Sequence, residues 1–125
     1  MKKANTHILS DANLRPLSIS LIHSEAELDA INNGILHIHA VWSGPAVGEA
    51  QRFLRLITEL EIVGPQVYVI DNDLIQSPDN CKRFNHHGYG ETHILKEGEI
   101  IFSYRFGQSA DTLRRKLAEF SHPNT

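Results

Sequence analysis

A single cysteine, Cys81, stands in the whole sequence, and that excludes an intramolecular disulfide. Thiol scarcity of this kind suits a reducing compartment, so the chain is expected to be cytoplasmic. Long apolar runs are also missing. Nothing approaches the roughly 20 apolar residues that a membrane-spanning helix needs. Met1-Lys2-Lys3 is basic, but Ile8-Leu9 is too short for the apolar core of a secretory leader. The chain therefore reads as complete, with no membrane partner. Basic excess is lacking too: 12 Lys and Arg against 15 Asp and Glu give a net charge of −3. No basic stripe is left to meet a nucleic acid. Repeats, low-complexity stretches and a second domain are likewise absent.

What is present is ordinary for one soluble domain: 125 residues, 41% hydrophobic and 22% charged. Residues 1–16 are expected to be a flexible N-terminal tail and 17–122 a single domain. Leu17 to Ile22 alternates apolar and polar residues, the period of a half-buried strand. Ser24 to Glu27 forms a capping box for a short helix, stopped at Asn32-Asn33-Gly34 with Gly34 as a left-handed cap. Ile35 to Val41 is nearly all apolar, as in a strand buried on both faces. Ser43 can cap the next helix with Pro45 in its first turn, and Ala50, Phe53, Leu54, Ile57 and Leu60 recur at helical spacing. Val67 to Ile70 is a third, β-branched strand. Ser77-Pro78 opens a helix that runs to about Phe84, and residues 85–90 form a loop. Glu97-Gly98 is a two-residue hairpin turn, beyond which Ile100, Phe102, Tyr104 and Phe106 are expected to share a face. Ser109 caps a last helix whose apolar stripe is Leu113, Leu117 and Phe120. The order β-α-β-α-β-α-β-β-α implies three mostly parallel strands and a closing antiparallel hairpin.

Several residues could carry chemistry. Eight histidines is a high number for this length, at positions 7, 23, 37, 39, 86, 87, 93 and 122, but no local spacing matches a zinc site. His37 and His39 lie two apart on a strand and share a face, so they could chelate a metal with His93 as a third ligand. The plainer reading has one hydrogen-bonded core histidine and one packed on a helix. His86-His87 reads as a solvated loop pair. Ser43 as a nucleophile would need an adjacent, oriented base, and its plainer role is the helix cap. Cys81, on the helix after the third strand, reads as structural, with a monothiol role as the sharper alternative.

These residues resemble the thioredoxin family over roughly Leu17 to Phe120. Trp42-Ser43-Gly44-Pro45-Ala46 resembles the family's Trp-Cys-Gly-Pro-Cys segment with both cysteines replaced. Val69-Ile70-Asp71-Asn72-Asp73 resembles its third strand and acidic end, and Leu95 to Ile100 its Phe-Lys-Asn-Gly-Glu-Val hairpin. The resemblance implies an α/β three-layer sandwich, a mixed sheet with helices on both faces. It also implies a groove for extended peptide, here Trp42, Ser43, Gly44, Pro45, Tyr89, Gly90 and Gly107. The family's thiol–disulfide exchange needs an attacking thiolate and a resolving thiol, and these positions hold Ser43 and Ala46. The family's cis-proline matches Gly90, its buried acid matches His37, and its lysine partner falls near Val67. The expectation is a redox-inactive protein- or peptide-binding module, not an enzyme, with no cofactor and no metal. The alternatives are a thiol oxidoreductase or monothiol enzyme using Cys81, and a histidine-based metal-binding module.

Overall fold

Five strands make one sheet in the order β1-β3-β2-β4-β5, and its chemistry follows from how the apolar sequence is divided between its faces. The computed structural model describes residues 9–40, 43–62, 66–85, 88 and 90–122. The elements in chain order are α1 Asp11–Leu14, β1 Ile19–Ile22, α2 Glu25–Asp29, β2 Gly34–His39, α3 Gly44–Glu59, β3 Val67–Asp71, α4 Pro78–Phe84, β4 Glu91–Lys96, β5 Glu99–Tyr104 and α5 Ala110–Ser121. β1 and β2 both run parallel to β3, whereas β4 is antiparallel to β2 and to β5. Parallel strands buried on both faces need helices on both sides. Phe53 and Ile57 of α3 and Leu113 and Leu117 of α5 meet Ile35, Val67, Val69 and Ile94 on one face. On the other, Leu28 of α2 and Phe84 of α4 meet Leu36, Ile38, Ile70 and Leu95.

Local signals explain the helix starts. Ser24 Oγ accepts from Glu27 N, Ser77 Oγ from Asn80 N, and Ser109 Oγ from Thr112 N. Pro78 takes the first turn of α4, where no amide donor is missed. The hairpin turn is as expected: Glu97 and Gly98 have φ of 53° and 81°, the twist that matches a two-residue loop. It is tied down by Gly98 N donating to Asn32 O and Glu97 N to Asn33 Oδ1.

Four expectations are corrected. Leu9 and Leu14 are buried in the core under α3, so the residues 9–16 are packed structure and not part of a flexible tail. Gly34 is not a left-handed cap. It opens β2, where a Cβ would lie 2.7 Å from Gln66 O and 2.9 Å from the Tyr68 ring. Its bareness lets two backbones approach. Ile100, Phe102, Tyr104 and Phe106 do not share a face. Ile94 pairs with Phe102 but Leu95 pairs with Ile100, so Ile101 is an extra residue, a β-bulge. The bulge sends Ile100 to the α2/α4 core while Phe102 joins the α3/α5 core, and Phe106 lies beyond the strand, exposed in a turn. Finally, β2 and β3 end at His39 and Asp71, and Val41 lies outside the described residues.

Candidate functional site

The C-terminal end of β2 delivers the chain to the start of α3. Ala40 is buried, Trp42 lies outside the described residues, and Ser43 is the N-cap of α3 with φ −104° and ψ 125°. Ser43 sits at the cap position, but its hydroxyl makes no capping bond. Gly44 and Pro45 occupy the first turn and are exposed, whereas Ala46 is fully buried. No acid stands in that first turn, so the positive end of the helix faces outward uncompensated by its own side chains.

Gly90 closes on this corner from the β4 side. Its φ is +90°, and a Cβ built there would lie 2.7 Å from Glu49 Cβ and 3.4 Å from Ala46 Cα. Only glycine combines that backbone with that contact. Gly90, immediately before β4, thus rests on the first turns of α3. Tyr89 lies outside the described residues. Gly107, with φ +95° and open space around it, lies in the turn after β5. Its loop is held by Arg105, whose Nη2 donates to Phe84 O at 2.8 Å and whose Nε lies 3.6 Å from the buried Glu91 carboxylate. Ser43, Gly44, Pro45 and Gly90 are therefore gathered around one corner.

The chemistry available there is limited. Ala46 carries no heteroatom. His37 Nδ1 is 3.0 Å from Thr92 Oγ1, and its ring stacks on Phe53 at 4.6 Å. Neither ring nitrogen of His39 has a hydrogen-bond partner. No histidine therefore serves Ser43 as a base among the described residues. Burial, reinforced by His39 and His93, pushes the His37 pKa from 6.5 down to about 3, so the ring is neutral. The expected core histidine is thus His37, hydrogen-bonded and stacked on α3.

His93 cannot complete a metal site with the other two. It pairs with Leu36, which puts it on the face opposite His37, where it meets Phe84 edge-on and Ser103 Oγ at 2.8 Å. No group of three potential ligands is poised for a metal among the described residues. Cys81 lies on α4, on the far side of the sheet from α3, with Sγ 3.6 Å from Ile75 O. His86 and His87 lie outside the described residues.

Sequence reasoning missed a polar network behind the corner. Arg52 Nη1 donates to Tyr104 Oη at 2.8 Å and reaches the buried Glu49 carboxylate at 3.2 Å. Burial, followed by Glu49, raises the Tyr104 pKa. It also missed exposed Phe106, for which the Gly107 immediately after it was the available signal.

The strand order, the two helix layers and the glycine loop set against the first turn of α3 decide the architecture. The fold is thioredoxin-like. Plasmodium falciparum thioredoxin superposes with a TM-score of 0.61 at 18% identity, covering 81% of this chain and 97% of that one. Malassezia sympodialis thioredoxin gives 0.65 at 17% identity, covering 83% and 91%. Mitochondrial thioredoxin 3 of Saccharomyces cerevisiae, in its oxidised form, gives 0.59 at 19% identity, covering 82% and 95%. No family model and no curated protein matches the sequence. In this thioredoxin-like chain no described helix is long and apolar enough to cross a membrane.

Proposed function

We propose that this thioredoxin-like chain is a redox-inactive, cytoplasmic module that binds another protein, or an extended peptide, across the corner built from Ser43, Gly44, Pro45 and Gly90. The observation that carries the reading is the pair Ser43 and Ala46 at the two positions where the resemblance expects thiols. A hydroxyl and a methyl cannot exchange disulfides. The corner itself supports a binding role, with the positive-φ Gly90 set against an exposed first helical turn. An extended segment would be held there by main-chain pairing and an aromatic contact. The module works by occupancy, without catalysis.

Two measurements test this. Insulin-disulfide reduction by the purified chain is expected at background, and clear turnover would refute redox inactivity. Partners captured from the native cell are expected to be lost with Gly44→Arg. A Cβ at Gly44 meets nothing within 4 Å, so the added side chain blocks the corner without disturbing the fold. Unchanged capture by that variant would place the binding surface elsewhere.

A further inference from the structure

On the other side of β2 from Gly90 lies a cavity of about 200 Å³. It sits where β1 and β3 end, under Leu9 of the N-terminal segment, with Leu21 and Val69 in its walls. Asp71 and Leu74 are also among its lining residues. The Asp71 carboxylate accepts from Asp73 N and so caps the single turn Asn72–Leu74. His23, His39 and Asp71 are the polar residues of the lining, and His39 is the buried one. It is 2% exposed, and both Nδ1 and Nε2 are buried without a hydrogen-bond partner.

We infer that this cavity is a binding site for an uncharged aromatic ring carrying one hydrogen-bonding group, with His39 as its polar anchor. The size fits: an apolar cavity of roughly 150 Å³ takes up benzene, so this one has room for a ring and a substituent. The charge fits as well. Apolar walls penalise an ion, and Asp71 opposes an anion. Burial keeps the His39 ring neutral, outweighing the pull of Asp71 in the other direction. A neutral imidazole offers one N–H and one lone pair, so a phenol hydroxyl can pair with either ring nitrogen and an indole N–H with the lone pair. Polar groups buried this deeply are seldom left without a partner, and His39 belongs to the cavity wall. The site is independent of the peptide corner, because β3 and β1 lie to one side of β2 and β4 to the other.

The test is a titration of the full chain, followed by methyl NMR, with p-cresol against toluene. p-Cresol is expected to shift the Leu9, Leu21, Val69 and Leu74 methyls and to bind roughly tenfold more tightly than toluene, the difference one hydrogen bond makes. His39→Leu should abolish that preference and leave toluene binding in place. The wild-type chain gives a second readout that needs no variant: a His39 ring ¹⁵N shift with p-cresol and none with toluene. Equal binding of the two probes, shifts confined to other methyls, or no binding by either would overturn the inference. A tyrosine amide that binds more tightly than p-cresol supports the site as a pocket for a protein side chain. Weaker binding of the amide than of p-cresol supports it as a pocket for a free small molecule.

Discussion

Acid should weaken this fold earlier than its carboxylates alone require, and His37 is the reason. The ring is 1% exposed, stacked on Phe53 and set against Thr92 Oγ1. Its pKa falls from 6.5 to about 3 on folding. Between those values the unfolded chain binds a proton that the folded chain refuses, so stability rises with pH across the window and is lost as pH falls. Above pH 6.5 both states are neutral and the effect vanishes. Each pH unit inside the window is worth about 1.4 kcal/mol, so lowering the pH from 6.5 to 5 removes about 2 kcal/mol through His37 alone. Against a total of about 5–15 kcal/mol for a typical domain, that loss is readily measured. Urea unfolding at pH 7 and pH 5 provides the assay, with His37→Leu as the control. The variant leaves Thr92 without its partner and should lose about 1 kcal/mol at pH 7. Its own drop between the two pH values should be smaller than the wild-type drop by about 2 kcal/mol. An identical drop in both proteins would refute the reasoning, since His37 would then not be the group refusing the proton.

Three further outcomes are expected. Gly48 lies exposed within α3 and a Cβ there meets nothing within 4 Å, so Gly48→Ala should stabilise by about 0.5–1 kcal/mol in the same unfolding assay. Gly90→Ala should destabilise by at least about 2 kcal/mol, because it combines a φ of +90° with a clash against Glu49 Cβ, and a neutral result would show that the loop does not rest on α3. Combining Ser43→Cys with Ala46→Cys should yield, on oxidation, a disulfide resolved by mass spectrometry from the untouched Cys81. Two alkylatable thiols remaining at those positions would mean that the corner lacks the geometry inferred from the fold.

Features decided within a few residues were legible in the sequence. Ser24, Ser77 and Ser109 cap their helices as their spacing suggests, and Glu97-Gly98 turns the hairpin because its backbone demand is local. The layering of the first three strands followed from apolar runs alternating with amphipathic helices. Features decided between distant segments were not legible. The face taken by His93 depends on its register with Leu36, and the bulge at Ile101 on that of β5 against β4. The work of Gly34 is visible only when Gln66 and Tyr68 are laid beside it. Leu9 and Leu14 read as part of a flexible tail because the core cluster they join is built from distant α3, β1 and α5. The same split runs through the corner. Its outline around Ser43, Gly44 and Pro45 was readable, but the Glu49–Arg52–Tyr104 network behind it joins residues 52 apart.

The bulge in β5 has a consequence for how such molecules behave when crowded. β5 is an outer strand of the sheet, and its outward-facing amides and carbonyls would otherwise form an unbroken template for the edge of a neighbouring chain. The extra residue at Ile101, 55% exposed, puts that row out of step midway along its length. An incoming strand can match the ladder on one side of the bulge or the other, but not both. An apolar side chain on a bare edge is thereby kept from seeding fibrous stacking.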